Sequence, residues 1–321
     1  MIYLGDCCDN IPEVAEEWAK SLHDFLFEER KDKLGRKYAS YYDKKEKEAV
    51  GNQIIELRYF KKHFRNIVLA DEKGLEDYSK EHVSEYMKDF MIDLYTAFTQ
   101  HKNDGISNAH YFFRELNIRT CPYCNRHYTF TLDEETGKVA PEYDHFYDKS
   151  SHPLVAVSFY NLVPSCHTCN HVKSTKDSAG INPFFSGFKS KFMLLDEKGD
   201  KLMVDYDKVS MKEKRNDYGK LTYSGLTKEE EGNVETFVLQ GLYELHDDYI
   251  KELVDKVIAY NPTVRQSLVD AFQDQAYSPQ QVYDFVWGRY LEEAQYGKRP
   301  LSKLTRDILE QLGILPDNDF Q

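Results

Sequence analysis

The sequence predicts a mainly α-helical protein with a small α+β insert near its middle. Apolar residues recur at helical spacing through residues 1–117 and again through much of 190–321. Between them, residues 118–189 switch to a short-period pattern rich in Gly, Pro, Cys, His and Asn. Two CxxC pairs fall inside that middle segment. These regions are the expected organisation: an N-terminal helical region (1–117), a compact central core (118–189), and a C-terminal region of a small hairpin plus helices (190–321).

In chain order, Asp9 and Asn10 offer an N-cap before Pro12, and Val14, Trp18, Leu22, Phe25 and Leu26 follow at helical spacing. A second helix is expected from Glu46 to Leu69, with Ile54, Leu57, Phe60, Phe64, Ile67 and Val68 on its apolar stripe. A third carries Val83, Tyr86, Met87, Phe90, Met91, Leu94 and Phe98, and a short fourth surrounds Tyr111, Phe112 and Leu116. These stripes read as packing faces. In the middle, His127–Leu132 alternates like a strand, Asp133–Gly137 reads as a turn, and Val139–Tyr143 as the returning strand. His167–Lys176 reads as a short helix. A second hairpin is expected around Gly199, then a long helix from Glu229 to about Tyr260, then shorter ones near 264–272, 279–294 and 301–312. No repeat, low-complexity tract or linker separates these parts, so the helices are expected to pack as one body.

The chain has 321 residues, 41% of them hydrophobic and 14% aromatic, which suffices for a sizeable core. No run approaches the ~18 apolar residues that would span a bilayer. The start, MIYLGDCCDN, has no basic-then-apolar leader, so a cytoplasmic location is expected. With 42 basic and 55 acidic side chains the net charge is −13. That excludes a protein gripping nucleic acid through a global basic field, because phosphate contacts dominate such affinity. The segment 121–191 carries 7 basic and 7 acidic residues, so any basic patch must be assembled by folding from residues such as Arg119, Arg126, Lys149, Lys173 and Lys176.

Cys7 and Cys8 are adjacent and lack knuckle spacing, so they read as ordinary small residues. Cys121-Pro-Tyr-Cys124 and Cys166-His-Thr-Cys169 are different. Each CxxC curls its backbone so that two thiolates face one point, and two such knuckles complete a tetrahedral site. With four protein ligands the zinc would be structural. Redox CxxC pairs belong to βαβ patterns, which are absent here.

Between and beside the knuckles lie Asp144, His145, Asn161 and Asn170. An Asp carboxylate and an Asn carbonyl are hard oxygen donors suited to magnesium or manganese. A histidine beside them can take a proton from water. The chemistry this suggests is phosphodiester hydrolysis.

The string DH, then N, then CxxCNxxK, framed by two CxxC knuckles, resembles the HNH (ββα-metal) endonuclease superfamily in its zinc-stapled form. That resemblance covers about 55 residues. It implies His145 as general base, Asp144 and Asn170 as ligands of a catalytic divalent cation, and Asn161 as the asparagine bracing the loop. It implies Lys173 as a basic residue able to meet phosphate. Asn170 stands where relatives often carry His. More distantly, the chain is similar to the Septu (PtuB-like) HNH subunits that accompany ATPases in anti-phage defence. This implies an ATPase partner, while the HNH resemblance favours DNA over RNA as the nucleic-acid substrate. The competing expectations are a catalytically silent zinc-stabilised module for nucleic-acid binding or scaffolding, and a redox protein with labile disulfides.

Overall fold

The computed structural model describes residues 1–31, 37–103, 106–132, 141–176, 180–204, 219–273 and 277–314. It is mainly helical, with small two-stranded sheets. Two compact units emerge. One comprises Met1–Cys7, Arg119–Tyr128 and Ala179–Gln321; the other comprises Cys8–Ile118 and Thr129–Ser178. The units do not follow chain order, and the 118–189 segment contributes to both. The chain passes between them with no Pro/Gly/Ser-rich stretch, so composition carried no signal of the division.

In the unit containing Cys8–Ile118, the helix Ile11–Phe27 begins after Asn10 with Pro12 in its first turn, and buries Val14, Trp18, Leu22 and Leu26. Trp18 is the hub of the core. Its ring meets Phe98, Phe112, Tyr143 and Phe159 at centroid distances of 4.8–6.2 Å. Its indole N–H donates to the carbonyl of Val157 at 3.0 Å, satisfying the one polar atom such a burial would strand. The helix expected from Glu46 to Leu69 is two helices, Tyr41–Glu48 and Asn52–Val68. Gly51 breaks them with φ 56° and ψ −125°, a conformation that strains any side chain. The helix Glu85–Gln100 starts on a Ser84 cap and Asn108–Leu116 on a Ser107 cap. Glu72–Ser79, capped by Asp71, was not foreseen; its eight residues are too few to show a period.

The strand pairing of the insert differs from expectation. Glu142–His145 pairs antiparallel with Leu162–Ser165, with Asp144 opposite Val163 and His145 opposite Leu162. The helix His167–Lys173 follows directly. The expected turn at Asp133–Gly137, with the start of its return strand, lies outside the described residues. Leu162–Ser165 is buried at every position, so it shows no alternation by which a sequence could reveal it. His127–Leu132, expected as the first strand, forms only a single bridge, Tyr128 to Thr120, among the described residues.

In the other unit, Lys191–Leu195 pairs with Lys220–Ser224. Around Gly199 only a single further bridge, Leu195 to Lys201, forms among the described residues. The helix Ser302–Gln311 covers the hairpin edge: Asp307 accepts from the Phe192 N–H and Gln311 from the Leu194 N–H. The helix expected over Glu229–Tyr260 is broken into Lys228–Thr236, Leu239–Glu244 and Asp247–Ala259. Val238, at φ 51°, makes the first break. No helix of the described residues is long and apolar enough to cross a membrane.

Candidate active site and metal centre

The sulfurs of Cys121, Cys124, Cys166 and Cys169 lie within 4.8 Å of one another, all buried and none in a disulfide. Tetrahedral zinc at about 2.3 Å from each thiolate requires sulfurs roughly 3.8 Å apart. The four residues therefore fit a zinc ion and leave it no open position. Local backbone prepares each knuckle. The Arg126 N–H points at the Cys124 sulfur (3.4 Å), where Asn125 takes a left-handed φ of 46°. Cys166 caps the His167–Lys173 helix, its sulfur accepting from the Cys169 N–H at 3.5 Å. Such N–H contacts stabilise thiolate charge. Purified protein is expected to carry one tightly held zinc per chain. Exchange into cobalt should give the thiolate charge-transfer bands of a four-sulfur site, and a metal-free folded protein would refute the centre.

His145 closes its strand and is buried. Its Nε2 lies 3.1 Å from the carbonyl oxygen of Ala156. A carbonyl can only accept, so this contact requires the proton on Nε2. Tyr95 packs edge-on against the ring at 4.5 Å. Burial, then the charge of Lys149, then that of Lys173 lower the imidazole pKa to about 3, against the opposing bond to Ala156. The ring is thus neutral at physiological pH, with its lone pair on Nδ1.

This shift has a consequence for stability. Because the folded pKa lies below the unfolded value near 6.5, the unfolded chain takes the proton first. The contribution is complete above pH 6.5 and is lost as pH falls from there toward 3, at up to about 1.4 kcal/mol per pH unit. Urea unfolding at pH 7.5, 6.0 and 5.0 is expected to show a steeper acid loss for wild type than for His145→Gln. Parallel losses would refute it.

The segment between the strands is held from several sides. Asn161, fully buried, accepts from the Tyr147 N–H at 2.8 Å and donates to the carbonyls of Tyr147 and Val155 at 3.1 and 3.0 Å. Ser158 donates to the Ile67 carbonyl at 2.6 Å. Ala156, the acceptor for His145, sits within this anchored stretch.

On the other face of the strand, Asp144 meets Lys173: Oδ1 and Nζ are 3.3 Å apart, and both side chains are essentially inaccessible. Lys173 also donates to the carbonyl of His145 at 2.5 Å. The expectation that Lys173 offers its charge to phosphate is therefore corrected. The helix turns this residue inward, against the strand. Asn170, one turn earlier, donates through Nδ2 to Glu142 Oε2 at 2.6 Å. The other Glu142 oxygen is 2.9 Å from His167 Nδ1. Burial works to raise the Glu142 pKa, but the bonds from Asn170 and His167 outweigh it and hold the carboxyl below its usual range. The same contact raises the pKa of His167.

Three residues of this neighbourhood escaped the sequence reading of the site. Glu142 carried a usable signal, since it lies two positions before Asp144 and so on the same strand face. Lys149, lying over the Tyr95 ring at 4.6 Å, is a cation near His145 that the sequence placed only in a diffuse patch. Tyr95 comes from a distant helix and gave no signal.

Septu protein PtuB of Bacillus thuringiensis is 39% identical to this chain over 72 residues, which cover 22% of the chain and 26% of that protein. The chain thus matches about a quarter of that relative's length and is a partial homologue of it. No family model and no solved structure matches.

Proposed function

We propose that this protein is a metal-dependent HNH endonuclease that hydrolyses phosphodiester bonds with His145 as general base. The observation that carries the reading is the state of His145: neutral, its Nε2 proton committed to Ala156, its Nδ1 left as the base. In this reading Nδ1 takes a proton from the attacking water. Ala156 holds the ring against rotation, and Asn161 fixes the segment that contains Ala156. Lys149 takes the phosphate contact first expected of Lys173. The donors Asp144 and Asn170 are hard oxygens, which fit magnesium or manganese better than zinc. When bound, that ion supplies charge stabilisation at the phosphorane and the leaving oxygen.

Attack by water needs no 2′-hydroxyl, so the mechanism admits DNA as substrate. The partial likeness to a Septu protein supports a role in anti-phage defence beside an ATPase subunit. The net charge of −13 supports delivery of substrate by a partner, since the free chain repels polyphosphate at long range. The test is nicking of supercoiled plasmid with magnesium or manganese, by the chain alone and by the chain together with any ATPase that co-purifies with it.

The buried Asp144–Lys173 pair favours a second reading. It satisfies the carboxylate without a cation, as a silent zinc-stabilised scaffold would. Absence of cleavage in every arm of that assay selects this reading.

A further inference from the structure

We infer that His167 and His171 form a second metal site, exposed and open, for a divalent transition metal of the zinc class. The inference is independent of the nuclease reading and of the four-cysteine centre. Of the 11 histidines, these are the only two spaced four residues apart. On the helix His167–Lys173 that spacing puts both rings on one face. The rings lie 5.9 Å apart between centroids, with planes inclined by 21°. Two imidazoles on a tetrahedral ion, each nitrogen about 2.0–2.1 Å from the metal, bring ring centroids to roughly 5 Å. The pair is therefore within about 1 Å of the separation that holds an ion. The His167 side chain is 80% exposed and His171 is exposed too, so the rings can close that gap without breaking a core contact.

Glu142 prepares the first ligand. Its Oε1 lies 2.9 Å from His167 Nδ1, and a carboxylate only accepts, so Nδ1 carries a proton. That leaves Nε2, on the far side of the ring, as the nitrogen that can ligate. A histidine that holds a metal almost always donates its other ring N–H to a carboxylate, carbonyl or water, which fixes the tautomer and the ring orientation. The carboxylate is itself fixed, because its second oxygen accepts from Asn170 Nδ2 at 2.6 Å. Among the described residues His171 meets no hydrogen-bond partner, so both of its nitrogens are available. Two imidazoles select zinc, nickel or copper over magnesium, which prefers oxygen donors. With only two protein ligands the remaining positions fall to water, so the ion is exchangeable and open to an incoming ligand.

The experiment titrates zinc, by calorimetry, into the full-length chain whose four-cysteine centre is already filled. One further equivalent is expected, weaker than the first. Outer-shell partners of metal ligands typically contribute roughly 10–100-fold in affinity. Glu142→Ala is expected to weaken the second equivalent by about tenfold, the low end of that range. His167→Ala and His171→Ala, which each remove a ligand, should cost at least as much. Glu142→Gln keeps an acceptor for the Nδ1 proton and should recover part of the loss. His82→Ala removes an exposed histidine with no histidine four residues on, and should change nothing. The first zinc and the melting temperature should hold in every variant, because both rings are exposed. A wild-type chain that takes up no second zinc would overturn the inference. So would a second equivalent that keeps its affinity when both histidines are replaced, or one that excess magnesium displaces.

Discussion

Replacing His145 with Ala is expected to reduce metal-dependent plasmid nicking by a factor on the order of 10²–10⁴, the usual contribution of a positioned base. Zinc content should be unaffected, since the four cysteines that fit the ion do not include this residue. The size of the effect follows from how little else could substitute. Tyr95, against the ring, has its hydroxyl pushed up to about 12 by burial and the nearby Asp144. Lys149 is half-buried, and its positive charge is among the causes that keep His145 unprotonated. Tyr95 is therefore not a competent base near pH 7. Glu142 is engaged by Asn170 and His167. Cleavage undiminished in the variant would place the base elsewhere and end the assignment.

Lys173→Met is expected to destabilise its unit by about 3–5 kcal/mol, the range for removing one partner of a buried ion pair. Methionine replaces most of the aliphatic stem, so the loss reports charge rather than volume. Two acceptors lose their donor together: the Asp144 carboxylate and the carbonyl of His145. Adding Asp144→Asn should recover part of the stability, because the uncompensated charge disappears with it. A double-mutant cycle in urea gives the coupling directly. Additive losses would mean that the pair does not hold the strand to the helix. Activity should fall further than stability explains, since the His145 carbonyl anchored by Lys173 belongs to the residue proposed as the base.

Much of this molecule was legible from its residues. The helices Ile11–Phe27 and Glu85–Gln100 announced themselves by cap and stripe. Those that broke did so at Gly51 and Val238, where one residue's backbone angle overrides a continuous apolar period. The paired CxxC motifs fixed which four sulfurs would meet, because geometry leaves a four-thiolate site few other solutions.

What the chain determined by itself was chemical identity: mostly helix, a four-cysteine cluster, and a histidine set among oxygen donors. What only the tertiary structure decided was who faces whom. It paired Glu142–His145 with a wholly buried strand, turned Lys173 inward to Asp144, and set Glu142 against Asn170. The reason is that sequence periodicity reports which side of an element is apolar. It does not report which polar residue on one element meets which on another. That is settled by register and by the high cost of burying a charge without a partner.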